Sequence, residues 1–198
     1  MPTCCYKYFT RDFFINLAGY YLNDKPLLTE LKILVSPISA PEDKPYEGSQ
    51  LFHTDFDDQS NVKVFVFLDD VDSNSGPLQA LNRDLTSRII YASGYRQTGK
   101  SVTHSDDILP ASMSHAIQTF VGPVGSIVLI DTDACFHRGS RSCSKERRVL
   151  YATYNKRTSF RFPPLNWIGL APKLNTYSSP LIRLDPTLSF LNVHALNV

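Results

Sequence analysis

The sequence predicts an all-β fold, a sandwich or barrel of short strands with little helix. Four short segments are rich in β-branched and aromatic residues and are bounded by turn-forming residues: 31–36, 63–68, 126–130 and 148–154. Turns rich in glycine and proline, DSNSGP (72–77) and GPVG (122–125), come before such strands or between them. Helical periodicity is confined to one short segment near the N-terminus.

The remaining elements follow in chain order. Residues 11–22, RDFFINLAGYYL, have the spacing of one short amphipathic helix. The core is expected over roughly 31–160. The polar segment 83–110 shows little periodicity and predicts a long loop, a kind of segment that often serves as a lid or binding element. The five prolines of 161–198 predict an irregular C-terminal tail that wraps the core.

Length and composition limit the class of protein. The 198 residues, 42% hydrophobic and 20% charged, fit a single soluble globular domain over 1–198. A net charge of +1 gives no general attraction to nucleic acid or to anionic membranes, so neither partner is expected. No signal peptide or membrane span is evident. The four cysteines form no C-x-x-C pair, which predicts reduced thiols and a cytoplasmic protein. The oligomeric state stays open.

A candidate metal motif lies in LFHTDFDD (51–58). In a strand, His53 and Asp55 would project from one face, with their backbone positions about 6.5 Å apart along the chain. Both side chains could then reach one metal ion. A second copy of the pattern, His104 and Asp106, shows that such pairs also arise by chance in this chain. The first copy lies among apolar residues where a strand could meet a packed interior, whereas the second lies in a polar stretch. We therefore favour the first.

The segment VLIDTDACFHRGSRSCSKERRVLYATY (128–154) supplies further parts of such a site. A strand leads to His137, and another begins eleven residues later at Arg148. Two histidines and one carboxylate on one face leave open coordination positions and are diagnostic of non-haem Fe(II) oxygenases. Their usual co-substrate, 2-oxoglutarate, chelates the iron, and O2 takes the last position. The distal carboxylate of 2-oxoglutarate needs a permanently charged, bidentate partner, which Arg provides better than Lys.

Each of these residues also has an ordinary structural explanation. Asp55 belongs to an acidic cluster that alone would indicate a solvated turn. His137 could be a hydrogen-bonded histidine at a strand end, and Arg148 could belong to an exposed basic face. Two other functions fit the same residues. One is a cupin-like metalloprotein that uses zinc, manganese or nickel without 2-oxoglutarate, since affinity alone does not select iron. The other is a non-catalytic relative that keeps the barrel as a binding module.

Residues 51–154 resemble the phytanoyl-CoA dioxygenase-like family of Fe(II)/2-oxoglutarate oxygenases. The resemblance rests on HTD (53–55), VFVFLDDVDSNSGPLQ (64–79), GPVGSIVLID (122–131) and the spacing from His137 to Arg148. Its most specific part is the strand, acidic turn and Gly-Pro-Leu of FLDDVDSNSGPL. The resemblance implies a double-stranded β-helix (a cupin-like jelly roll) with one or a few short flanking helices.

The resemblance also implies roles for individual residues. His53, Asp55 and His137 would bind the iron, and Arg148 would bind the distal carboxylate of 2-oxoglutarate. Lys63 begins the next strand, where the family often has a polar contact to 2-oxoglutarate. Halogenating relatives have a small residue in place of the carboxylate, so Asp55 implies hydroxylation of an unactivated C–H bond, with release of succinate and CO2.

Strand geometry separates two neighbouring arginines. Side chains alternate along a strand, so Arg147 and Arg148 are expected on opposite faces. The eleven-residue spacing from His137 selects Arg148 for the pocket. A shift of the strand by one residue would place Arg147 in the pocket and Arg148 on the opposite face.

The chain departs from the family pattern at three places that concern substrate binding. The Pro-Gly-Ser-His turn that often follows Gly-Pro-Leu is replaced by QALNRD (79–84), and the hydroxyl residue common two positions after the distal histidine is replaced by Gly139, with Ser140 next. Only 52 residues precede the metal motif. The basic residues concentrated in 138–161 either form a solvated face or attract a small anionic substrate, such as an acyl-CoA or a phosphate ester.

Overall fold

The computed structural model of the chain describes residues 3–39, 45–55, 60–95, 106–141, 143–157 and 190–193. The helices are α1 (Thr3–Phe9), α2 (Asp12–Leu22) and α3 (Arg83–Ser93), with short 3-10 turns at Gly48–Gln50 and Ala111–Ala116. The strands are β1 (Pro26–Ser36), β2 (Val62–Phe67), β3 (Leu78–Ala80), β4 (Gln118–Phe120), β5 (Ile127–Ile130), β6 (His137–Arg138), β7 (Arg147–Lys156) and β8 (Phe190–Val193).

These strands form two antiparallel sheets. The larger has the order β1-β7-β2-β5-β8 and the smaller the order β4-β3-β6. The arrangement is an all-β jelly roll, which confirms the predicted fold class. Each of the four predicted strands is present, although β1 begins five residues earlier than expected. Strand β8, near the C-terminus, pairs with β5 in the sheet that also contains β1. Strands from the N-terminal and C-terminal parts of the described chain thus share one sheet.

Alternation along the strands gives the larger sheet two different faces. In β2 the valines at positions 62, 64 and 66 pack against α1 and α2, whereas Lys63, Phe65 and Phe67 face the smaller sheet. Strand β7 alternates in the same way. Its outward face carries Leu150, Ala152 and Tyr154, and its inward face carries Arg147, Val149, Tyr151 and Thr153. The side chains of the larger sheet that can line a space between the two sheets are therefore those of its inward face.

Two N-terminal helices cover the outward face. The predicted helix over 11–22 is confirmed as α2, whose buried Phe14, Ile15, Ala18 and Leu22 contact the sheet. Helix α1 was not predicted, and its Phe9 is fully buried. The hydroxyl of Tyr154 donates a 2.6 Å hydrogen bond to the carbonyl of Phe9, which fixes the end of α1 on β7.

The prediction of a long loop over 83–110 is wrong for its first part, where the structure has helix α3. The Asn82 side chain accepts a 2.9 Å hydrogen bond from the Leu85 amide, and Gly94 ends the helix with a positive φ of 65°. Only Thr86 and Ile89 of this helix are buried, so its apolar stripe is too narrow for a periodicity search. Residues 96–105, and the predicted tail apart from β8, lie outside the described residues. None of the described helices is long and apolar enough to span a membrane.

The cap of α3 is testable. Asn82→Ala removes the side-chain acceptor for the Leu85 amide and is expected to lower the free energy of unfolding by about 1 kcal/mol. Urea denaturation of parent and variant measures the change. Arg88→Ala, at an exposed position of the same helix, is the control and should change stability by less than about 0.5 kcal/mol. Equal stabilities of Asn82→Ala and Arg88→Ala would contradict this role of Asn82.

Candidate metal centre

The two predicted histidine ligands are paired across a β-bridge. The amide of His53 donates to the carbonyl of His137 at 3.1 Å, and the amide of His137 donates to the carbonyl of His53 at 2.9 Å. Directly opposed residues of an antiparallel pair project to the same side. The two imidazole rings accordingly lie 4.3 Å apart between centroids, tilted by 48°. Strand β6 is held in turn by β3, so the pair is fixed to the smaller sheet.

Backbone carbonyls set the tautomer of both rings. Nδ1 of His53 lies 2.8 Å from the carbonyl of Leu51, and Nδ1 of His137 lies 3.1 Å from that of Cys135. A carbonyl can only accept, so each Nδ1 must carry the hydrogen. In the neutral ring the lone pair then lies on Nε2, the nitrogen that faces Asp55. This is the usual way in which a metal-binding histidine is oriented.

Asp55 completes the cluster. Its amide donates to the carbonyl of Thr132 at 2.9 Å, and its Oδ1 lies 3.6 Å from Nε2 of His53 and 3.8 Å from Nε2 of His137. The candidate ligand atoms of all three residues lie within 4.8 Å of one another. Two ligands of one ion, bonded at about 2.1 Å, lie at most about 4.2 Å apart. The two separations from Oδ1 are within that limit, so the carboxylate and each histidine are close enough to share one metal ion.

The Asp55 carboxylate is kept ionised by its surroundings. Burial acts to raise the pKa of this group, but His137 and Lys63, together with the Thr132 hydroxyl, lower the pKa below its usual range. An ionised carboxylate is the form that binds metal. The alternative motif gives no comparable cluster among the described residues. His104 lies outside them, and Asp106 pairs with Arg138 at 2.9 Å and with Arg141.

A cavity of about 250 Å³ opens beside the three residues, between the two sheets. Its further walls include Leu34, Lys63, Phe65, Leu78, Arg147 and Tyr151. Most of these side chains come from the inward face of the larger sheet. The ring of Phe65 is stacked on that of Tyr151 at a centroid distance of 5.4 Å. Apolar walls thus lie next to a cluster of charged groups, as in most small-molecule sites.

Arg147, and not the predicted Arg148, lies in this cavity. As expected, the two arginines point to opposite faces, but β7 is shifted by one residue relative to the prediction. Arg147 lies opposite Ser36 of β1, and only 7% of its surface is exposed. The segment between His137 and β7 contains Ser140, which adopts a positive φ of 58°. The assignment of Arg148 to the pocket is therefore corrected.

Arg148 has a different environment on the outer face. Its guanidinium forms an ion pair with Asp69, at 2.5 Å for the shortest contact, and its amide donates to the same carboxylate at 2.9 Å. This pairing raises the pKa of Arg148. The side chain is 53% exposed, and the arginine is a surface residue that ties the start of β7 to the turn after β2.

Among the described residues, the guanidinium of Arg147 hydrogen-bonds to two hydroxyl groups. Its Nη2 donates to Oγ of Ser36 at 3.1 Å and to Oγ of Ser140 at 3.2 Å, and the two hydroxyls lie 2.7 Å apart. Its Nε has no hydrogen-bond partner among the described residues. No carboxylate in the described part of the chain pairs with it, and burial lowers its pKa. A buried, permanently charged group without a counterion requires an anion to offset its desolvation.

Lys63 takes a position next to the three candidate ligands. Its side chain is 9% exposed, and its Nζ donates a short hydrogen bond to Oδ2 of Asp55. The ammonium also lies 5.5 Å from the centre of the Tyr151 ring. The predicted contact to 2-oxoglutarate therefore stays a prediction, since the contact that the structure shows is to Asp55.

Several residues of the site were not predicted. They are Ser36, Thr132, Ser140 and Tyr151, which contact Arg147, Asp55 or Lys63. The sequence contains one usable signal for part of this set. Tyr151 lies four residues after Arg147 in β7, so strand alternation places the two side chains on one face. Ser36 gives no signal of its own, because its role depends on the pairing of β1 with β7.

Comparison with solved structures places the fold among known proteins. HygX from Streptomyces hygroscopicus with iron bound matches with a TM-score of 0.50 at 13% identity, over 79% of this chain and 69% of HygX. EctD from S. alaskensis with bound Fe gives a TM-score of 0.49 at 14% identity, over 75% of this chain and 51% of EctD. The apo form of ThoJ, a non-haem monooxygenase, gives a TM-score of 0.48 at 13% identity, over 75% of this chain and 54% of ThoJ.

The chain spans about half the length of EctD and of ThoJ. No protein-family model matches the sequence, and no curated protein matches it. At such low identity the likeness to HygX shows the fold alone, because one fold serves many functions. The protein is thus a double-stranded β-helix with short flanking helices, as predicted.

Proposed function

We propose that the protein is an Fe(II)- and 2-oxoglutarate-dependent dioxygenase of the phytanoyl-CoA dioxygenase-like kind. One observation carries the proposal. Two histidines and one carboxylate converge beside a 250 Å³ cavity that also contains Arg147, a buried arginine without a carboxylate partner in the described chain. The first set fits a metal ion with open coordination positions, and the arginine fits the far end of a dianionic co-substrate.

His53, Asp55 and His137 would hold the iron. Both imidazoles direct Nε2 at the Asp55 carboxylate, and that carboxylate is ionised, which is the form that binds metal. When bound, iron and 2-oxoglutarate supply the oxidative chemistry, in which O2 and 2-oxoglutarate become succinate and CO2 while a C–H bond is hydroxylated. The bound iron of HygX, which shares the fold, agrees with this choice of metal.

Arg147 would hold the distal carboxylate of 2-oxoglutarate. Ser36 and Ser140 orient the guanidinium from one side, so the donors on its other side are available for a carboxylate. The nearby side chains of Leu34, Phe65 and Leu78 are apolar. They suit the methylene groups of a short dicarboxylate and limit the access of water to the ion pair. Burial of the Arg147 guanidinium without an anion would destabilise the folded protein, so its position supports a bound carboxylate.

The two alternative functions explain less of this geometry. A cupin-like metalloprotein without 2-oxoglutarate would use the same ligands but would leave Arg147 without an anion. A non-catalytic binding module would need neither the paired histidines nor their fixed tautomers. We keep both as outcomes of the experiment below.

We further propose a small organic or acyl substrate with an anionic group. Of the basic residues concentrated in 138–161, Arg138 and Arg147 line the cavity. Arg138 lies 4.2 Å above the Phe52 ring and pairs with Asp106, which it shares with Arg141. Two arginines around one carboxylate leave a net positive charge at the cavity wall, which favours an anionic group there.

Iron-dependent succinate release tests the proposal. The protein is given Fe(II), O2 and 2-oxoglutarate, with and without candidate carboxylic acids, acyl-CoA esters, phosphate esters and amino acids. We expect succinate and CO2 only with iron, stimulation by the true substrate, and a hydroxylated product because Asp55 fills a coordination position. Turnover of a substrate without 2-oxoglutarate would favour the cupin-like alternative. Absence of iron binding would favour the binding module, and a chlorinated product would contradict hydroxylation.

A further inference from the structure

The two oxygens of the Asp55 carboxylate face different partners. Oδ1 lies 3.6 Å and 3.8 Å from the Nε2 atoms of the two histidines, and Oδ2 accepts a charge-assisted hydrogen bond from Lys63. The amide of Asp55 is tied to Thr132 at 2.9 Å. The side chain is thus held from behind by an ammonium group, while its other oxygen faces the candidate metal position.

Lys63 is a buried lysine on a strand face that is otherwise aromatic. Its strand neighbours on the same face, Phe65 and Phe67, are aromatic and pack between the sheets. Burial of an ammonium group is costly unless a partner offsets it, and Asp55 together with the Tyr151 ring provides that offset. Strand β2 is paired on both sides, with Ile130 and Thr153 opposite Lys63, so the backbone that carries the ammonium is fixed.

From this geometry we propose that Lys63 is a positioning residue that makes Asp55 a ligand through one oxygen only. The inference rests on the metal site of the proposed function. A carboxylate that binds through both oxygens takes two coordination positions, whereas one that binds through a single oxygen leaves more room. A chelating 2-oxoglutarate and O2 together need three positions. Lys63, by retaining Oδ2, keeps them available to the co-substrates.

Co(II) and 2-oxoglutarate, added in sequence to the full chain, test the proposal. In Lys63→Met the carboxylate can turn both oxygens to the metal, and a positive charge beside the metal is lost. We expect Co(II) to bind at least as tightly as to the parent, with an altered visible absorption spectrum that reports the coordination change. The affinity of the Co(II) form for 2-oxoglutarate should fall about tenfold.

Lys145→Met is the matched control. Lys145 does not line the cavity, and its ammonium pairs with Asp72 at 2.7 Å on the protein surface. It should behave as the parent in both titrations and in the spectrum. If Lys63→Met does not fold, Lys63→Leu also removes both the charge and the hydrogen-bond donor and is judged by the same criteria.

The outcomes separate the possible roles of Lys63. Weaker 2-oxoglutarate binding with an unchanged Co(II) spectrum would mean a direct contact to 2-oxoglutarate and would overturn the proposal. Parallel losses of both affinities would mean general structural support and would also overturn it, as would no change at all. Failure of the parent protein to bind Co(II) would instead refute the metal site of the proposed function.

Discussion

Arg147→Ala is expected to raise the concentration of 2-oxoglutarate required for half-maximal turnover by about 30-fold or more. Truncation of one partner of a buried charge pair costs roughly 2–5 kcal/mol, and about 2 kcal/mol already corresponds to that factor. The fold should tolerate the change, since no carboxylate of the described chain loses a partner and the hydroxyls of Ser36 and Ser140 are 2.7 Å apart. Initial rates of succinate release over a range of 2-oxoglutarate concentrations measure the effect.

Arg148→Ala is the matched control, because it removes the same side chain one residue further along the strand. Its guanidinium pairs with Asp69 on the outer face, so the 2-oxoglutarate requirement should equal that of the parent. A large effect of Arg148→Ala with little effect of Arg147→Ala would restore the register predicted from the spacing and contradict the structure. No effect of either change would rule out an arginine of β7 as the 2-oxoglutarate partner.

The error in register has a physical cause. Both faces of β7 are largely apolar, because α1 and α2 cover the outward face and the smaller sheet covers much of the inward face. Alternation alone therefore shows that the two arginines diverge, without showing which one points inward. The spacing from His137 could not decide either, since it depends on the turn in which Ser140 has a positive φ. That conformation is uncommon for a residue other than glycine.

The candidate ligands were predictable for a different reason. His53 and Asp55 are two residues apart, so their relative direction follows from local strand geometry. Association with His137 was inferred from the order of the parts of such a site along the chain and from the family resemblance, and the structure brings the two histidines together in the His53–His137 bridge. Helix α3 was missed although its cap residue Asn82 and the terminal Gly94 are both helix signals. The segment was nevertheless predicted as a loop, because only Thr86 and Ile89 of α3 are buried and the sequence therefore shows little apolar periodicity.

Replacement of any candidate ligand by alanine is expected to abolish iron-dependent turnover while the chain stays folded. His53, Asp55 and His137 each supply one ligand atom to the same cluster, so loss of one leaves only two protein ligands. Outer-shell changes alone typically cost 10–100-fold in metal affinity or activity, and loss of a direct ligand should cost more. His115→Ala is the control, since His115 is an exposed histidine on a 3-10 turn. It should retain parental turnover.

The most direct measurement is an anaerobic titration of the protein with Fe(II) and 2-oxoglutarate, followed by visible absorption. A 2-oxo acid that chelates protein-bound Fe(II) gives a charge-transfer band that neither component gives alone. We expect this band with the parent and with His115→Ala, its displacement to higher 2-oxoglutarate concentration with Arg147→Ala, and its absence with His53→Ala and His137→Ala. A parent protein that gives no band at saturating Fe(II) and 2-oxoglutarate, or an undiminished band in His53→Ala and His137→Ala, would contradict the proposed iron and 2-oxoglutarate site.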